Sequence, residues 1–169
     1  MRYNKLGDSG LLVSEMSFGC MMFQEDTEEG HAHAYDMLKC AYSHGCNFFD
    51  NAEVYGDKGT SEIVMGHAVQ QGLQDGVWER CDLVISTKLM WGGRGGRDTM
   101  NSIGLTRKHL VEGIHSSLAR MQLDHVDLCV LQPPSPAPQF REQEFHFMRA
   151  GSSATAQIPS PRSGRLSVR

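Results

Sequence analysis

The sequence has no apolar run approaching the roughly 20 residues that cross a bilayer, and Met1-Arg2-Tyr3-Asn4-Lys5 leads into a polar turn, not the apolar core of a secretory signal. A soluble, cytoplasmic chain with no membrane insertion is expected. Excess charge of one sign is missing too: 16 Lys and Arg against 20 Asp and Glu give a formal charge of −4, which argues against a nucleic-acid partner. The five cysteines, Cys20, Cys40, Cys46, Cys81 and Cys129, contain no C-x-x-C pair and no zinc-site spacing, so they read as reduced thiols. Trp91 to Gly104 holds five glycines and two arginines but lacks the Gly-Lys-Ser/Thr ending of a phosphate-binding loop, and reads as a flexible loop. His31 and His33 point to different faces of one predicted helix, with His44 beside it. They read as solvated side chains, and no metal site is expected.

What is present is an alternation of two periodicities. Tyr3 to Leu6 and Leu11 to Val13 flank Gly7-Asp8-Ser9-Gly10, a short hairpin. A strand is predicted at Met16 to Phe18, ending at Gly19, then a helix from Thr27 to about Ser43 that stops before Gly45. A second strand spans Cys46 to Asp50, and Ser61 opens a short helix carrying Ile63, Val64, Ala68 and Val69. A third strand covers Leu83 to Lys88. Thr106 is a good N-cap for a helix with Leu110, Ile114, Leu118 and Met121 on one face. The fourth strand runs from Val126 to Leu131, ending at Gln132. Four strand-to-helix alternations argue for parallel strands with helical crossovers, in a doubly wound sheet or in part of a (β/α)8 barrel. Cys129, Met16, Met65 and Met121 read as core residues.

In such an architecture the functional loops leave the sheet at the C-terminal ends of its strands. Three predicted strands end there in a polar side chain: Asp50, Lys88 and Gln132, with Tyr55 in the loop over the same rim. A polar residue ending a strand is ordinarily just a solvated strand end. An acid, a cation and a phenol together allow more. A tyrosine, with an ordinary pKa near 10, donates a proton poorly at neutral pH unless a nearby cation stabilises its phenolate. Lys88 can be that cation, with Asp50 holding it oriented, so that Tyr55 protonates a carbonyl oxygen as hydride reaches the carbonyl carbon.

Asn47-Phe48-Phe49-Asp50-Asn51-Ala52-Glu53-Val54-Tyr55-Gly56 strongly resembles the signature segment of the aldo-keto reductases. So do Leu6-Gly7-Asp8-Ser9-Gly10-Leu11-Leu12-Val13-Ser14, Val84-Ile85-Ser86-Thr87-Lys88 and Gly104-Leu105-Thr106-Arg107-Lys108-His109. The resemblance covers residues 1–138 and is nearest the branch that includes the voltage-gated potassium channel beta subunits. It implies an α/β fold, the N-terminal half of a (β/α)8 TIM barrel behind an N-terminal hairpin, with NADPH as hydride donor and an aldehyde or ketone as acceptor. By motif match Tyr55 is the proton donor and Lys88 and Asp50 tune it, while Gly19, Cys20, Met21 and Asp50 lie beside the nicotinamide. Cys20 and Met21 stand where relatives usually have threonine and tryptophan, and Gln132 where most active members have histidine. An amide donates a hydrogen bond but does not titrate near neutral pH, so slow turnover is expected.

The family's four further strands are not recognisable after Pro138. The chain is therefore expected to be an incomplete, weak or inactive NADPH-dependent oxidoreductase, with residues 139–169 a divergent, disordered tail. The alternatives are a regulatory channel subunit and a non-catalytic half-barrel. Expected partners are a small carbonyl substrate, a potassium channel, or further copies of the chain.

Overall fold

The computed structural model describes residues 1–92 and 101–132. The expected tail, and residues 93–100 of the glycine-rich loop, lie outside them. Strands β1 (Tyr3–Lys5) and β2 (Leu12–Ser14) form an antiparallel hairpin. Four strands follow, β3 (Phe18–Gly19), β4 (Phe48–Asp50), β5 (Val84–Leu89) and β6 (Leu128–Leu131), in one sheet whose spatial order is the chain order. Every neighbouring pair is parallel. Helices α1 (Glu28–Ser43), α2 (Tyr55–Gln74) and α3 (Arg107–Met121) make the crossovers. This is the strand–helix succession of a (β/α)8 barrel carried through four strands.

The register places the functional ends side by side. Gly19 pairs with Asp50, and Asp50 with Ser86. Because side chains alternate across a strand, Phe49, Ile85, Thr87 and Leu89 face the helices, while Asp50, Ser86 and Lys88 face the other way. Phe49, Ile85 and Leu89 join Leu38, Val64, Met65, Val69, Leu118 and Met121 in one core between sheet and helices. The hairpin sits at the opposite end of the strands, where Asn47 Oδ1 accepts from the Ser14 amide at 2.7 Å and Asn47 Nδ2 donates to the Leu12 carbonyl at 3.0 Å.

Local chemistry explains the helix ends. Thr27 Oγ1 accepts from the Gly30 amide at 3.1 Å and caps α1, with Glu28 and Glu29 in its first turn opposing the positive end of the helix dipole. Thr106 does the same for α3 through the His109 amide at 3.2 Å. The second helix is longer than the apolar pattern from Ser61 predicts, starting at Tyr55 and running 20 residues. Its first turns are irregular: Gly56, Asp57 and Gly59 have φ of 62°, 50° and 107°. Regular right-handed helix therefore begins close to where the periodicity begins, and Tyr55 sits on a distorted helical entry instead of in a free loop.

Two corrections concern the first strand. It spans Phe18–Gly19, ending at Gly19 as expected but not starting at Met16, and Met16 is exposed, not a core residue. Met65, Met121 and Cys129 are buried as expected.

Candidate active site

At the C-terminal rim, Lys88 Nζ donates to Asp50 Oδ2 at 2.6 Å, to the Asn51 carbonyl at 2.8 Å and to Tyr55 Oη at 3.3 Å. The ammonium also lies 4.8 Å from the centre of the Tyr55 ring. Asp50 is fixed from its other oxygen, since Ser86 Oγ donates to Oδ1 at 2.7 Å. Asp50 and Lys88 stand on adjacent strands, and the rim leaves their side chains only 27% and 18% exposed. Low exposure strengthens a charge-assisted contact. The three residues nominated from the motif thus form one hydrogen-bonded unit.

The remaining nominated residues divide. Gly19 is level with Asp50 and exposed, and a Cβ built on it would meet nothing within 4 Å. Met21 is exposed beside it. Cys20 turns the other way. Its Sγ packs 3.5 Å from Met65 Sδ in the core, and its carbonyl accepts from Ser61 Oγ at 2.6 Å. Burial first, and the Asp50 carboxylate second, raise its thiol well above the ordinary value, so at this rim it offers backbone alone. Gln132 follows β6, exposed, with its amide N–H donating to the Leu89 carbonyl at 3.3 Å. Among the described residues no hydrogen bond joins its side chain to the triplet.

Glu53, to which motif reading gave no role, organises the rim. It is almost wholly buried, and Oε1 accepts from the amides of Met90 at 2.6 Å and Gly92 at 2.9 Å and lies 3.1 Å from His109 Nε2. One carboxylate thereby ties the loop after β4 to the segment leaving β5 and to α3. Its Oε2 is buried without a hydrogen-bond partner among the described residues. Beneath it, Thr87 Oγ1 donates to Glu62 Oε1 at 2.5 Å and Arg120 Nε to Glu62 Oε2 at 2.7 Å, joining β5, α2 and α3. The signal for both acids was available: Glu within apolar, structured sequence needs buried partners.

Residues 15–150 match the model of the Aldo/keto reductase family. A "Probable voltage-gated potassium channel subunit beta" of Arabidopsis thaliana is 44% identical over 146 residues, covering 84% of this chain and 40% of that protein. Its Oryza sativa counterpart is 42% identical over 145 residues, with 84% and 40% covered. The chain spans well under half the length of these relatives. Among solved structures, an aldo-keto reductase from Bacillus halodurans in its holo form is 28% identical with a TM-score of 0.61, over 78% of this chain and 40% of that one. The strand order, the rim triplet and the family match agree, and this chain belongs to the aldo/keto reductase family.

Proposed function

We propose that this segment supplies the proton-transfer half of an NADPH-dependent oxidoreductase that reduces an aldehyde or ketone in the cytoplasm. The observation that carries this reading is one ammonium, Lys88 Nζ, within hydrogen-bond reach of both a carboxylate and a phenol. Tyr55 Oη donates to the carbonyl oxygen of the substrate and gives up its proton as the oxygen gains negative charge. Lys88 stabilises the phenolate that remains. Asp50, held by Ser86, keeps Lys88 charged and aimed. These groups need no reorganisation as charge develops, which is where such preorganisation acts.

The open rim beside Asp50 suits a flat ring, because Gly19 leaves the space that a Cβ would fill. Gly19, Met21, Asp50 and the Cys20 backbone would hold the nicotinamide end of NADPH. When bound, that cofactor supplies the hydride. Gln132 would donate an amide hydrogen bond to the carbonyl oxygen but would not titrate as imidazole does.

In a full-length protein containing this segment, Tyr55→Phe is expected to lower kcat by about 10²–10⁴-fold with little change in KM, and Gln132→His to raise it. Full activity in the Tyr55→Phe variant would reject the assigned proton donor. The printed names of the plant relatives support a second reading, a regulatory subunit of a potassium channel. That reading expects co-purification with channel protein that persists in the Tyr55→Phe variant.

A further inference from the structure

Away from the rim, on the outer face where α1 meets α2, three side chains from three places in the sequence converge. His31 Nε2 and Asp26 Oδ1 are 3.0 Å apart. The His67 ring of α2 stacks on the His31 ring of α1, centroids 4.0 Å apart and planes 15° from parallel. One ligand atom from each of Asp26, His31 and His67 falls within 4.8 Å of the others. The rings border a cavity of about 390 Å³ that is also lined by Glu28.

We propose that Asp26, His31 and His67 form a binding site for a divalent transition metal of the zinc class, which staples the first turn of α1 to α2. Two imidazoles and a carboxylate favour zinc, nickel, copper or cobalt over magnesium or calcium, which prefer all-oxygen shells. Tetrahedral coordination with bonds of about 2.0–2.1 Å puts ligand atoms about 3.3–3.5 Å apart, so from separations within 4.8 Å a closure of at most about 1.5 Å suffices. Both imidazoles reach the surface and can make it by rotation: the stacked rings splay about χ2 until their in-plane lone pairs converge, and the His31–Asp26 hydrogen bond gives way to two metal bonds. Glu28 or water fills the remaining position in the cavity.

Electrostatics decide whether a cation is tolerated at a helix N-terminus. The dipole places about half a positive charge there. Asp26, Glu28 and Glu29 place three negative ones around it, so the local field favours the ion. His33, two residues from His31 and exposed, does not join the cluster.

The test is calorimetric titration of the 169-residue chain with Zn²⁺, paired with Co²⁺ absorption. One-to-one binding is expected, with cobalt d–d bands and no thiolate charge-transfer band. His31→Gln and His67→Gln should each weaken binding at least tenfold while far-UV circular dichroism stays unchanged, and His33→Gln should bind as the parent does. In the parent, Zn²⁺ should shift the ring proton resonances of His31 and His67 but not those of His33. Wild-type affinity in His67→Gln, a thiolate band assigning the ion to Cys40 or Cys81, or no binding below millimolar Zn²⁺ would each overturn the site.

Discussion

Lys88 is held by three oxygens from the β4–α2 region, the Tyr55 hydroxyl among them. These residues were legible because the strand pattern runs straight into them: apolar Phe48-Phe49 ends at Asp50, and Val84-Ile85 leads to Lys88. Cys20 was not legible in the same way. Its place after Gly19 suggested a rim position, but a single 3-10 turn over Cys20–Met22 rotates its side chain into the core. The thiols yield a prediction at this scale. Burial, then the Glu53 and Glu62 carboxylates, push the Cys129 thiol up to about 12. Since its folded value lies above the ordinary 9.0, neutral Cys129 contributes stability fully below pH 9, and that contribution is lost as pH rises from 9 to about 12. Unfolding free energy should therefore fall across that window, by at most about 1.4 kcal/mol per pH unit from this group. At pH 8 an alkylating reagent should label exposed Cys40 and Cys81 at once, and Cys20, Cys46 and Cys129 only on unfolding; rapid labelling of Cys129 in the folded chain would contradict its burial.

At the scale of elements, α2 is packed closely on both flanks, and glycines set the distance. A Cβ on Gly66 would stand 2.6 Å from the Met121 carbonyl oxygen at the end of α3. A Cβ on Gly72 would stand 2.1 Å from the Trp78 ring. Alanine normally improves a helix by about 1 kcal/mol over glycine, yet overpacking against an immovable neighbour costs about 1–3 kcal/mol. Gly66 abuts backbone, which cannot swing aside, so the second effect wins. Gly66→Ala is expected to lower stability by about 1–2 kcal/mol in denaturant unfolding, whereas Gly19→Ala, facing open space, should stay within about 0.5 kcal/mol. A stabilised Gly66→Ala variant would show that α2 and α3 can part freely. Helix α2 also shows the limit of periodicity. Apolar spacing marks Ser61 onward, but the entry from Tyr55 is shaped by left-handed glycines, and Gly56 has room for no side chain between the Phe23 carbonyl and the Ser61 amide.

At the scale of the whole molecule, the described sheet has two edges, β3 and β6, and four parallel strands do not close a barrel. Unpaired strand edges invite pairing with another chain. The family's four further strands are not recognisable after Pro138, while the described rim gathers only the groups proposed here for proton transfer and for the nicotinamide end of the cofactor. The 169-residue chain is accordingly expected to bind NADPH at least 100-fold more weakly than a full-length protein containing it, as read by nicotinamide fluorescence. Micromolar affinity of the 169-residue chain would show that tight binding needs nothing beyond these residues.

The rim residues, the parallel strands and the cap at Thr106 are legible in the sequence, because each sits at a strand end or in a short motif that is recognised locally, even though Lys88 meets Asp50 and Tyr55 across 38 and 33 residues of chain. Tertiary structure alone decided the rest. His31 with His67, and Glu53 with His109, meet across 36 and 56 residues of chain respectively, and no motif in the sequence names these partners before the helices pack. The same packing set which way Cys20 faced: a buried side chain points where the core has room, and the core is a property of the whole fold.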